Sequence, residues 1–82
     1  MPRAGRPPRP LVTPTERQIL WGVAAGKTNR AIGSSLGLSE ETVKSHVRKM
    51  RRRWGAPDRA SLLYAAIRRG AIPVVDIKTH LL

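Results

Sequence analysis

The chain has 82 residues, enough for one small domain, and carries 16 Lys and Arg against 5 Asp and Glu, a formal net charge of +11. A domain of this size buries only about 60% of its unfolded surface, which leaves no room for a deep catalytic cleft. The charge and the sequence pI near 11.9 point to a polyanionic partner, nucleic acid first and an anionic membrane surface second. With no cysteine there is no disulfide, no thiolate zinc site and no thiol chemistry. The two histidines, His46 and His80, are too few and too far apart for a metal site, so no metal or other cofactor is expected. No apolar run approaches the roughly 18 to 20 residues of a membrane span, and the N-terminus lacks the apolar stretch of a signal peptide. A cytoplasmic protein is expected.

The first ten residues, MPRAGRPPRP, hold four prolines, three arginines and one glycine. Such a composition buries no apolar area and reads as a basic, flexible arm over 1–11. Arg3, Arg6 and Arg9 are spaced to follow a phosphate backbone. Gly5-Arg6-Pro7 is similar to the core of an AT-hook, yet Ala4 stands where a flanking arginine belongs, so a nonspecific tail is the simpler reading.

Thr13-Pro14-Thr15-Glu16 starts a first helix, with Thr13 as N-cap, Pro14 at N1 and Glu16 closing a capping box. Ile19, Leu20, Val23 and Ala24 form its inward face, and Gly26 follows its end near Ala25. Thr28 or Asn29 caps a short second helix from Asn29 to Leu36, with Ala31, Ile32 and Leu36 expected inside. Small residues at Ala31 and Gly33 permit a close crossing, and Gly37-Leu38 make a tight turn.

The third helix, from Ser39 to Trp54, organises the rest. Val43, Val47, Met50 and Trp54 recur at i, i+4, i+7 and i+11, one apolar stripe, while Lys44, Ser45, Arg48, Arg51 and Arg52 lie opposite. Ser39 is the N-cap, Glu40 and Glu41 suit the positive end of the helix dipole, and the cations gather toward its negative end. Gly55-Ala56-Pro57 stop it. His46 reads as a partly buried packing residue, Trp54 as a plug between the third and fourth helices, and Trp21 as core. A fourth helix, capped by Asp58, runs from Arg59 to Arg69 with Leu62, Leu63, Ala66 and Ile67 inward and Gly70 beyond it. Two helices joined by a short glycine-containing turn, the second with a basic outer face, make a helix-turn-helix.

The ordered series TPTERQIL, then Ala24, Gly26, Thr28, Asn29 and Ile32, then LGLSEETVKSHV and GAPDRASLLYAAIRRGAI, resembles the LuxR/NarL-type (GerE-like) helix-turn-helix domain over about 12–72. That resemblance implies an all-α, four-helix domain of a bacterial transcription regulator. Its third helix enters the major groove of double-stranded DNA, and its fourth often forms the dimer contact. The family usually has Glu and Ala where this chain has Ala31 and Gly33, and Leu where it has Trp54.

Side chains in the N-terminal half of a recognition helix reach base edges, so Lys44, Ser45 and Arg48 are the base-contact candidates. Lysine or arginine can donate to guanine O6 and N7. Arg51, Arg52 and Lys49 suit phosphate. So do Lys27, Thr28 and Asn29 at the start of the second helix, and the Thr42 hydroxyl. A homodimer reading half-sites about 10 bp apart is expected. Ala60, Ser61, Tyr64, Ala65 and Arg68 on the outer face of the fourth helix are the candidate contact. Only the basic arm precedes this unit in the sequence, which sets the expectation of a regulator without its own sensor, controlled by abundance, a partner or modification. The apolar tail, PVVDIKTHLL, reads as an extension that packs back or meets a partner.

No nucleophile and base pair, paired carboxylates or metal constellation supports an enzyme. The rival reading is a module that binds RNA polymerase or another regulator, with weak or nonspecific DNA binding. A membrane binder would need a broad apolar face, and the stripe of the third helix is required by the core.

Overall fold

The computed structural model describes residues 11–73. The expectations for arm residues 1–10 and tail residues 74–82 fall outside that range. Four helices follow one another, α1 (Pro14–Ala24), α2 (Asn29–Leu36), α3 (Glu40–Trp54) and α4 (Arg59–Arg68), and no strand occurs among the described residues.

Each helix begins on a side chain that can accept from a free amide. The Thr13 hydroxyl accepts from the Glu16 N–H at 3.1 Å, and Glu16 Oε1 accepts from the Thr13 N–H at 3.0 Å, a complete capping box. Thr28, Ser39 and Asp58 accept in the same way from Ala31, Thr42 and Ser61. Helix α2 ends on Gly37 at φ 71°, a left-handed conformation that a Cβ would strain. The Leu38 amide then returns to the Gly33 carbonyl at 2.8 Å. Residues 37–39 are thus the turn of a helix-turn-helix formed by α2 and α3.

The core is built from one stripe of each helix. Ile19 and Leu20 of α1, Ile32 of α2, Val43 and Met50 of α3, and Leu62 of α4 are its largest fully buried side chains, with Ile72 just beyond α4. Burying such a side chain contributes about 1.5–3 kcal/mol, and that is what holds four short helices together. Val12 before α1 and Ala71 and Ile72 after α4 extend the core past the helices. Val47 is buried with the rest of the α3 stripe. Trp54 is only half-buried, against α4, and Trp21 is likewise half-buried.

Helix α2 differs from expectation in one respect: Ala31 is exposed, and Gly33 is the buried small residue. A Cβ on Gly33 would stand 2.5 Å from the Leu38 carbonyl oxygen, so the missing side chain is what lets the α2–α3 turn close over the helix. Ala31 lies toward solvent because Ile32 and Gly33 together take the inward arc.

Among the described residues Glu16 is the one buried charged side chain. Arg53, 37 residues away at the end of α3, donates to both of its carboxylate oxygens at 3.2 and 2.9 Å. Burial alone would push the Glu16 carboxyl up. The hydrogen bonds from Arg53 and the Thr13 amide, with the charges of Arg53 and His46, outweigh burial and hold it below its ordinary value. This pairing ties α1 to the C-terminal end of α3.

Two outcomes are expected. Gly33→Val should lower stability by about 1–3 kcal/mol in chemical denaturation, since the bulkier side chain must displace the turn backbone. Glu16→Gln should cost about 1 kcal/mol at pH 7, a modest figure because Arg53 is partly solvated. A depressed folded value makes this contribution complete above the ordinary carboxyl value of 4.5 and lost as pH falls through the folded value. Melting curves of the two proteins should therefore separate at pH 7 and draw together as pH falls below 4.5.

Candidate nucleic-acid interface

Burying Val43, Val47 and Met50 turns the opposite side of α3 to solvent. Lys44, Arg48, Lys49 and Arg52 are exposed there, and none makes a hydrogen bond or ion pair among the described residues. Ser45 is half-buried.

The consecutive arginines 51, 52 and 53 are drawn in three directions. Arg53 faces α1 and Glu16. Arg51 is half-buried, with Nε donating to the Ala56 carbonyl at 3.3 Å and Nη2 to the Pro57 carbonyl, so it braces the α3–α4 turn from beneath. Arg52 alone extends freely into solvent.

Two clefts lie on this basic side. One, of about 250 Å³, is lined by Asn29, Lys44, Val47, Arg48, Arg51 and Arg59. The other, of about 330 Å³, is bounded by Arg48, Arg51 and Arg52 and by the turn residues 55–57. Arg48 and Arg51 border both, which makes one continuous positive surface from the start of α2 to the end of α3. Lys49 lies outside both clefts.

The N-terminus of α2 joins this surface. Thr28 Oγ1 accepts from the Ala31 amide, which leaves its own O–H free to donate. The Lys27 side chain is exposed and without a partner among the described residues. Thr42 Oγ1 accepts from the Ser39 hydroxyl at 2.8 Å and likewise keeps its own proton for an outside acceptor. Asn29 is half-buried, and its Oδ1 accepts from Arg59 Nη1 at 2.6 Å. Arg59 Nη2 also donates to the Lys27 carbonyl at 2.5 Å. Burial pushes the Arg59 guanidinium down, and among the described residues no carboxylate pairs with it to offset this, though arginine at this depth stays charged.

From the sequence, Arg59 is only the first residue of α4 and Arg53 only one of the cations gathered at the end of α3. Neither partner is within a helical turn, so no local signal could have revealed these contacts.

Beyond the turn residues 55–57, which it shares with the second cleft, the outer face of α4 borders a groove of about 460 Å³. Ser61, Tyr64, Ala65 and Arg68 line it with Trp54 and Arg69. Ala60 is exposed and lies outside it. Tyr64 is 63% exposed, the Arg68 guanidinium sits 5.7 Å from its ring centroid, and Arg69 stacks 5.8 Å over Trp54.

The model of bacterial regulatory proteins of the luxR family matches residues 10–66. The spore germination protein GerE of Bacillus subtilis is 30% identical over 64 residues, covering 78% of this chain and 86% of that protein. The chain belongs to the luxR family. Other luxR-type relatives are the transcriptional regulatory protein MctR of Rhizobium johnstonii, 31% identical over 64 residues, and the probable transcriptional regulatory protein NarL of Mycobacterium tuberculosis, 33% identical over 63. Those matches cover 78% and 77% of this chain but only 30% and 29% of the relatives' length. No solved structure matches the chain significantly.

The luxR family is one of regulators and not of enzymes, in agreement with the sequence reading. Among the described residues no helix is long and apolar enough to cross a membrane. The departures from the usual luxR pattern are accommodated locally. Ala31 is solvent-facing, the Leu38 carbonyl occupies the space beside Gly33, and the large Trp54 ring lies across the end of α3 beneath Arg69.

The contrast between neighbouring arginines is testable. Arg51→Ala should lower stability by about 1 kcal/mol through loss of the carbonyl contacts that close the α3–α4 turn, whereas Arg52→Ala should leave it within about 0.5 kcal/mol. Thermal melts of the two variants at one pH and salt concentration measure the difference.

Proposed function

We propose that the unit spanning 12–72 is a sequence-specific binder of double-stranded DNA that regulates transcription, reading the major groove with α3. One observation carries this reading: the buried stripe of α3 turns Lys44 and Arg48 outward, unpaired, on a continuous basic surface. Base-edge contacts fall to Lys44, Ser45 and Arg48, with Ser45 the least accessible of the three. Phosphate contacts fall to Lys27, Thr28, Asn29 and Thr42 before and at the start of the two motif helices, and to Lys49, Arg51 and Arg52 along α3. Arg51 acts chiefly through its charge, since its donors are directed at the turn. The names of MctR and NarL as transcriptional regulatory proteins support regulation as the outcome of binding.

A domain with so few base contacts gains useful specificity by pairing. The homodimer contact is the α4 face of Ala60, Ser61, Tyr64, Ala65 and Arg68. An antiparallel pairing of two such helices brings the Asp58 end of one against the Arg68 end of the other, which offsets like-charge repulsion across the axis.

Selection from a randomised duplex pool at two salt concentrations, beside a Lys44→Ala/Arg48→Ala double variant, tests this reading. The expected result is a site of two related half-sites about 10 bp apart, or a multiple of that, lost in the variant. Affinity should fall roughly a thousandfold or more between about 50 and 200 mM salt if a dimer neutralises about six to ten phosphates. Salt-sensitive binding without a preferred sequence would instead favour a module acting through RNA polymerase or another regulator.

A further inference from the structure

We propose that the cleft between the start of α2, the basic side of α3 and the start of α4 seats one backbone phosphate of the bound DNA, and that Arg59 is the positioning residue that shapes it. This rests on the DNA reading above and assigns a role to a residue outside both motif helices.

The argument begins with what Arg59 does to Asn29. An arginine can only donate, so the atom of Asn29 that meets Nη1 at 2.6 Å must be the carbonyl oxygen. The amide is thereby held in one orientation, its oxygen engaged by Arg59 and its NH₂ left to donate elsewhere. The second contact, from Nη2 to the Lys27 carbonyl, anchors the same guanidinium to the backbone just before α2. One planar fork thus spans the residues on either side of Thr28, whose hydroxyl proton is also unspent.

The surroundings have the charge that an anion requires. The cleft lining contains four cations, Lys44, Arg48, Arg51 and Arg59, with Asn29 and Val47 and no carboxylate. The ion pair among the described residues joins Arg53 to Glu16, away from this cleft. Asp58, the acid next to Arg59 in sequence, is engaged in capping α4, its Oδ1 accepting from the Ser61 amide at 2.7 Å. Among the described residues Arg59 is therefore a half-buried cation with two neutral acceptors and no ion-paired carboxylate. The missing negative charge is supplied by a group able to accept from several directions at once, as a phosphate does. A DNA backbone is the source that continuity with Lys44 and Arg48 selects.

The test uses the full chain with Asn29→Asp, Arg59→Lys and Arg59→Met, each checked by thermal melting, and a short duplex titrated across a salt series. Asn29→Asp is the decisive variant because a carboxylate still accepts from Arg59, so folding is preserved, while the donor is lost and a negative charge enters the cleft. Its affinity should fall about tenfold or more. The slope of log affinity against log salt should shrink by about 0.9, the equivalent of one phosphate. The loss should be equal on specific and nonspecific duplexes, since a phosphate carries no sequence. Arg59→Lys, which keeps the charge but cannot bridge Asn29 and Lys27, should weaken binding almost as much as Arg59→Met. If folded Asn29→Asp binds like the wild type, the phosphate seat is overturned while the DNA reading stands. If Arg59→Lys binds like the wild type, charge alone suffices and the positioning role is overturned. A wild-type protein that binds no duplex at low salt would overturn both.

Discussion

The rotation of α3 about its own axis is the constraint on which the remaining structure depends. Val43, Val47 and Met50 are buried on one side, and a helix with a stripe locked into a core cannot turn without exposing it. The basic side consequently has one fixed direction. Its lysines and arginines need no attractive contact of their own to face solvent. The surface that meets DNA in our proposal is positioned by apolar packing on the reverse side.

Around that fixed helix, charge is divided according to what each site can satisfy. Arg53 takes the buried Glu16 carboxylate and joins α1 to α3. Arg51 takes backbone carbonyls of the next turn, and Arg59 crosses from α4 to the start of α2. Among the described residues the cations left without partners are Lys27, Lys44, Arg48, Lys49 and Arg52, with Arg17 and Arg30, a subset of the total that structure alone defines. A high net charge does not identify that subset, because a guanidinium bound to carbonyls counts the same as one in water.

The caps, the glycine stops and the apolar stripes were all legible in the sequence, because each is a local matter. Thr13 meets Glu16 three residues on, Ser39 meets Thr42, and a stripe repeats every helical turn. Helix boundaries followed from these signals to within a residue. The exchange of Ala31 for Gly33 as the buried small residue of α2 was not legible. Both are small, and the choice between them is made by the Leu38 carbonyl, whose place depends on how the turn closes.

Four helices, the family resemblance and the outward, basic face of α3 can all be read from the order of the residues. Caps and periodicity act within one or two helical turns, so they leave their mark on neighbouring residues. Docking of the helices selects which cations are consumed in holding them together. It also brought Asn29, 30 residues from Arg59 in the chain, under a guanidinium that orients its amide. Such contacts arise after the helices dock, and no pattern of neighbouring residues encodes them.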